Sequence, residues 1–213
     1  MLALLMAGCA SWRSADAPMY TQTDASRCAL RADTLLVLLP GVYSHPDEFV
    51  REGFVQAVND AHLAVDVLRV DAHLNYYQRN TFVERLRQDV IVPAQARGYR
   101  SIWIAGISLG GFGGLIYAKE HPADVAGVVA LAPYLDEAAI WSWLNGYADA
   151  APGHPPLYLG YGAADRFAVT NGVLAGKLPP AQVFTTEGGH DWAPWRRLWQ
   201  AMLPTLPLPR CPG

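Results

Sequence analysis

The stretch Gly106-Ile107-Ser108-Leu109-Gly110 constrains this chain more than any other. Residues 101–105 ahead of it, Ser-Ile-Trp-Ile-Ala, are a short apolar run preceded by Gly98 and Arg100, the composition of a buried strand. Residues 111–120 behind it read as a helix whose first turn is rich in glycine. A strand, a sharp turn with serine at its tip and a helix together hold a hydroxyl in a conformation that side chains tolerate poorly, so its neighbours must be small. Gly106 and Gly110 let strand and helix pass closely, and the helix start turns free N–H groups toward the serine. The plain alternative is a glycine-rich crossover turn with no chemistry. The two readings separate on whether the rest of the chain supplies a base, an acid and hydrogen-bond donors.

The 213 residues are 52% hydrophobic and 16% charged, which favours one packed domain over disorder. A net charge of -3 gives no electrostatic case for nucleic acid. Nothing repeats at a fixed period. No His/Cys cluster has metal-ligand spacing, and no glycine-rich loop matches a P-loop or the dinucleotide fingerprint, so neither metal nor cofactor is expected.

The first nine residues, apolar and ending Met6-Ala7-Gly8-Cys9, are too short to span a bilayer. They resemble the end of a bacterial lipoprotein signal, in which small residues precede a cysteine that is lipidated. That resemblance implies lipidation of Cys9 and a place on the periplasmic side of the cell envelope, with the membrane met only through the lipid. The alternatives are an ordinary signal remnant or an apolar tail with a buried cysteine, and a cytoplasmic place for the protein; an unmodified Cys9 in the membrane fraction would sink lipidation. Residues 10–30, rich in Ser, Asp, Thr and Ala, read as a flexible tether. Residues 31–213 make the domain. Cys28 and Cys211 stand near its two ends; in an oxidising compartment they can pair, and otherwise they are two free thiols.

Along the domain, apolar runs alternate with helical patterns. The spacing predicts strands at Thr34–Leu39, Val65–Val70, 101–105, 125–131, 156–162 and Val183–Thr186. Helices are expected from Pro46 or Asp47 to His62, from Thr81 to before Gly98, over 111–120, 137–147 and 169–178, and over 193–203. Thr81 with Glu84 has the form of a capping box. Such alternation implies right-handed crossovers and a parallel sheet covered on both faces, six-stranded here. Ligands bind beyond the carboxyl ends of the strands in such sheets. A residue can therefore share a site with Ser108 only if it closely follows a strand.

Of the 6 histidines, His62, His121 and His154 fall on the wrong edge of the sheet, while His45, His73 and His190 fall on the right one. His190 directly follows the last strand behind Gly188-Gly189, and Asp165 ends the strand before it. The order Ser108, Asp165, His190 is that of the α/β-hydrolase triad. From Leu35 to Leu203 the chain resembles a single-domain α/β-hydrolase, similar to small serine esterases. Four motifs carry the likeness: Leu39-Pro40-Gly41, Gly106-Ile107-Ser108-Leu109-Gly110-Gly111, Gly162-Ala163-Ala164-Asp165-Arg166-Phe167 and Gly188-Gly189-His190-Asp191-Trp192. The opening hairpin of many members is not visible. The lid region is only the short Trp-rich segment 141–147, so a shallow or open site is expected.

The resemblance implies Ser108 as nucleophile, His190 as base and Asp165 as acid, with Asp136 as the rival acid and Glu187 and Asp191 as solvated neighbours. Oxyanion donors are expected at Leu109 and at Val42 or Tyr43. Tyr76, Tyr77, Tyr134 and His73 are the candidates for substrate contact. Tyr43, Trp141 and Trp192 are further aromatic candidates, with core packing the better reading of Trp192 and Trp195. The activity implied is hydrolysis of small-molecule esters or thioesters by a monomer, through an acyl-enzyme. Acyl transfer by the same triad, or a binding lipoprotein that keeps the fold without turnover, are the alternatives.

Overall fold

A computed structural model describes residues 13–28, 31–149 and 151–212; Cys9 and its signal-like segment lie outside the described residues. The chain runs β1 (Thr21–Asp24), β2 (Thr34–Leu39), α1 (Glu48–Arg51), α2 (Phe54–Asp60), β3 (Val65–Val70), α3 (Leu74–Gln78), α4 (Phe82–Leu86), α5 (Val92–Ala96), β4 (Ser101–Ile107) and α6 (Leu109–Glu120). It continues β5 (Gly127–Leu131), α7 (Ala138–Leu144), β6 (Leu157–Gly162), α8 (Ala168–Ala175), β7 (Val183–Thr186) and α9 (Trp192–Met202). The strands form one sheet in the order β1-β3-β2-β4-β5-β6-β7. From β3 to β7 every pair is parallel; β1 is antiparallel to β3.

The sheet thus has seven strands, not six, and the extra one lies in the stretch read as a tether. Thr-Gln-Thr-Asp carries no apolar signal because it is an edge strand whose partner presents a charge. Arg69 of β3 is buried, and its guanidinium donates to Gln22 at 2.6 Å and pairs with Asp24 at 2.7 Å and Asp47 at 2.8 Å. A buried cation is tolerated only when it is paired in this way. The segment before β1 is also docked: Ala15 and Met19 are buried, and the Met19 N–H donates to Asp89.

Alternate strand residues divide the interior into two layers, as the period of two in a strand requires. Leu35, Val37 and Leu39 face the core under α3 to α8, while Leu36 and Leu38 face the core under α1, α2 and α9. The second layer is aromatic: Trp192 meets Phe49, Phe54 and Trp195 edge-on, so Trp192 and Trp195 are packing residues. Two helices differ from expectation. The helix over 46–62 breaks at Gly53, whose φ of 76° is left-handed, into α1 and α2. The helix after Thr81 has a π-helical turn at Arg87–Ile91 between α4 and α5. Thr81 makes no capping bond; its hydroxyl donates to the Tyr76 carbonyl instead. Cys28 and Cys211 are bridged, with Cα atoms 5.3 Å apart.

Candidate active site

Ser108 lies between β4 and α6 with φ 53° and ψ -114°, a strained conformation for any residue with a side chain. Two glycines make that turn possible. A Cβ on Gly106 would fall on the Gly110 carbonyl, and one on Gly110 would fall on the Leu39 carbonyl. The elbow is pinned from the neighbouring strand, since the Ser108 N–H donates to the Leu131 carbonyl at 2.8 Å. The side chain therefore projects at the sheet edge that receives the ends of β6 and β7.

Those two ends deliver the other groups. A Cβ on Gly162 would strike the Gly188 carbonyl, so the turns after β6 and β7 touch. Asp165 and His190 meet there: His190 Nδ1 lies 2.8 Å and 3.0 Å from the two carboxylate oxygens of Asp165. His190 Nε2 lies 2.9 Å from Ser108 Oγ. The Asp165 side chain is wholly buried, and its Oδ1 also accepts from the Phe167 N–H at 2.8 Å. A carboxylate held this way fixes which imidazole nitrogen carries hydrogen. The imidazole is packed edge-on by Phe167 and Trp195, with ring centres 5.1 Å and 4.9 Å away. The rival carboxylates stand elsewhere: Asp136 and Glu187 are exposed, and Asp191 caps α9 by accepting from the Ala193 N–H.

A cleft of about 810 Å³ opens at Ser108, and Val42, Leu109, Tyr77 and Tyr134 are among its lining. Among the described residues, the N–H groups of Val42 and Leu109 donate no hydrogen bond, which leaves both available to an oxyanion. Tyr43 is the third position of a turn closed by the Ser44 N–H on the Gly41 carbonyl; its φ is 64° and its ring is 83% exposed. The ring is no part of the cleft.

The substrate candidates divide. Tyr134 borders the cleft, edge-on to Phe112 and Phe167, and its hydroxyl pKa is raised by burial and by Glu137 and Asp136. Tyr77 stacks on Phe82 at 4.2 Å. Its hydroxyl is buried beneath Gly113 without a partner, and burial pushes its pKa well up. Tyr76 and His73 do not reach the cleft. Consecutive helical residues point about 100° apart, so Tyr76 turns inward, 2% exposed, and donates to the Ala17 carbonyl. His73 stacks on Tyr76 at 4.2 Å, under the segment that carries Arg13. His45 is exposed and pairs with Asp47, and Trp141 donates to the Leu135 carbonyl, away from Ser108. Sequence reasoning missed Phe112, Ile116 and Arg166, which also line the cleft. The first two follow Ser108 by one and two helical steps of four, a spacing that puts them on its side of α6.

Among the described residues no group of His, Cys, Asp and Glu can hold a metal ion, and no helix is long and apolar enough to cross a membrane.

Residues 51–154 match the Esterase family model, described as "Putative esterase"; the match contains Ser108 and ends before Asp165 and His190. No curated protein sequence matches the chain. Among solved structures, Est1E from Butyrivibrio proteoclasticus is similar with a TM-score of 0.68 and 13% identity, over 88% of this chain and 92% of that one. S-formylglutathione hydrolase (FrmB) from Staphylococcus aureus is similar with a TM-score of 0.62 and 18% identity, over 81% of this chain and 80% of that one. A ferulic acid esterase has a TM-score of 0.63 at 17% identity, over 88% of this chain and 97% of that one. The fold is that of the α/β-hydrolases. The family match, over just under half of the chain, likens that stretch to esterases of this fold.

Proposed function

We propose that the chain is a serine hydrolase that cleaves carboxylic esters or thioesters through an acyl-enzyme, with Ser108, His190 and Asp165 as its triad. The observation that carries this is the unbroken hydrogen-bond path from Asp165 through His190 to Ser108. Serine is a weak nucleophile until a base takes its proton. His190 Nε2 accepts that proton as Ser108 Oγ attacks the acyl carbon. Asp165 holds the imidazole in place and stabilises the cation that forms. The oxyanion faces the N–H of Leu109 and that of Val42 or Tyr43; losing one such donor typically costs about 100- to 1000-fold in rate. Collapse breaks the bond to the alcohol or thiol, which leaves with the proton from His190. Water then gives its proton to His190, attacks the acyl-enzyme and releases the acid, and Ser108 regains its hydrogen.

The activities for which two of the similar structures are named, a ferulic acid esterase and an S-formylglutathione hydrolase, support an ester or thioester of a small molecule. The bridge between Cys28 and Cys211 supports an oxidising compartment, in keeping with the cell envelope. The test is turnover of nitrophenyl acetate by wild type and by Ser108→Ala. Removing such a nucleophile is expected to lower kcat by about 10⁴-fold or more. Equal rates, or a fluorophosphonate label found elsewhere than Ser108, would remove the assignment.

A further inference from the structure

We infer that the cleft binds the acyl arm of the ester along α6 and that this arm is a linear chain of medium length, an inference that rests on the serine-hydrolase reading above. The floor of the cleft is one side of one helix. Ser108, Phe112, Ile116 and Lys119 follow one another at steps of four, four and three, and all line it. Its walls include Phe82 and Val83 of α4 and Ala139 and Ile140 of α7.

Helix α6 is apolar on both sides. Leu115, Tyr117 and Ala118 are buried in the core, and the opposite side presents Phe112 and Ile116, with no charge before Lys119. A helix apolar all round is normally covered all round. Here the chain leaves the second side open as a cleft that starts at the nucleophile. The far end is polar, with Lys119, Glu120 and Glu84 exposed to water. From Leu109 to Lys119 the helix advances about 15 Å, at about 1.5 Å per residue. A fully extended chain gains roughly 1.2 Å per bond, so roughly twelve carbons fill the floor.

The chemistry decides which arm lies there. The leaving alcohol takes its proton from the base, so it departs on the side of His190. The lining includes Phe167 and Ser108 but not His190 or Trp195. The cleft therefore leads away from the imidazole, and the acyl arm occupies it.

The test measures kcat/KM for nitrophenyl esters from acetyl to dodecanoyl, beside a series of alkyl acetates. Each methylene laid on the floor is expected to raise kcat/KM about two- to fourfold, as apolar burial per methylene implies, until the chain reaches Lys119. Ile116→Trp blocks the floor midway and is expected to lower the decanoyl-to-acetyl ratio at least tenfold. Ala139→Trp, from an exposed position on the α7 wall, repeats the test should Ile116→Trp fail to fold. A flat wild-type acyl profile, a ratio indifferent to both variants, or a response in the alkyl acetates instead would overturn the inference while Ser108-dependent acetyl turnover stands. Absence of Ser108-dependent turnover of every ester is the separate failure of the underlying reading and takes this inference with it.

Discussion

His73 and His190 stand in matching places with different surroundings. Each follows a strand at the same edge of the sheet, each has aromatic neighbours, and each has an aspartate nearby in chain or space. His190 has both ring nitrogens engaged, one by Asp165 and one by Ser108. His73 has Nδ1 buried without a partner, and its ring lies on Tyr76. Beside it, Asp71 is spent on Arg13, with its other oxygen buried and unpaired. The difference teaches that position after a strand is necessary for this chemistry but not sufficient. An imidazole serves as a base when an acceptor fixes one nitrogen and a reactive hydroxyl meets the other.

The comparison breaks most sharply on activity. His190→Ala is expected to lower kcat for nitrophenyl acetate by about 10⁴- to 10⁶-fold, and Asp165→Asn by about 10⁴-fold. His73→Ala is expected to stay within about threefold of wild type, because a side chain that reaches neither cleft nor Ser108 can act only through packing. A His73→Ala loss comparable to that of His190→Ala would erase the distinction between the two corners.

What the sequence made legible follows the same line. That Ser108, Asp165 and His190 meet at one edge of the sheet could be read because glycines mark the turns and chain order does the rest. Neither signal depends on how a loop folds. Tyr76 and Tyr77 could not be separated, because which of two adjacent residues turns inward depends on where a five-residue helix begins. The strand β1 was hidden because its stabilisation comes from a buried arginine on another strand, a contact no periodicity records. The break at Gly53 and the π-helical turn at Arg87–Ile91 were hidden because an apolar face survives both.

A smaller effect sharpens the contrast through stability. The segment over His73 continues into β1 and ends at Cys28, which the bridge ties to Cys211 across a separation of 183 residues. Closing so long a loop constrains the unfolded chain by about 4–5 kcal/mol in the chain-entropy account. Cys28→Ser with Cys211→Ser is expected to lower Tm by about 10 °C or more, at roughly 2–4 °C per kcal/mol for this size. Below that Tm the kcat is expected to persist, since Ser108, Asp165 and His190 are held by other strands. A scanning calorimetry trace paired with acetate turnover checks both. Equal loss of kcat and Tm would mean that the two corners are mechanically one.

The smallest effect is titration at His73. Burial, and then the charge of Arg13, lower its pKa from 6.5 to about 4, so the folded protein keeps the ring neutral where the unfolded chain would protonate it. The groups around it are Arg13, Asp71 and Tyr76. A depressed pKa contributes stability that is fully present above about 6.5 and is lost as pH falls toward 4. The ring is partly exposed, so solvent screening reduces the effect. His73→Phe keeps the stacking on Tyr76 and cannot titrate. The Tm of wild type is expected to fall more steeply than that of His73→Phe between pH 6.5 and 4, with a gap of about 2–4 °C opening at the acid end, the equivalent of about 1 kcal/mol. Parallel curves would show that His73 takes up its proton without cost in the folded state. The orphaned Nδ1 would then be meeting water, and the contrast with His190 would rest on the missing hydroxyl alone.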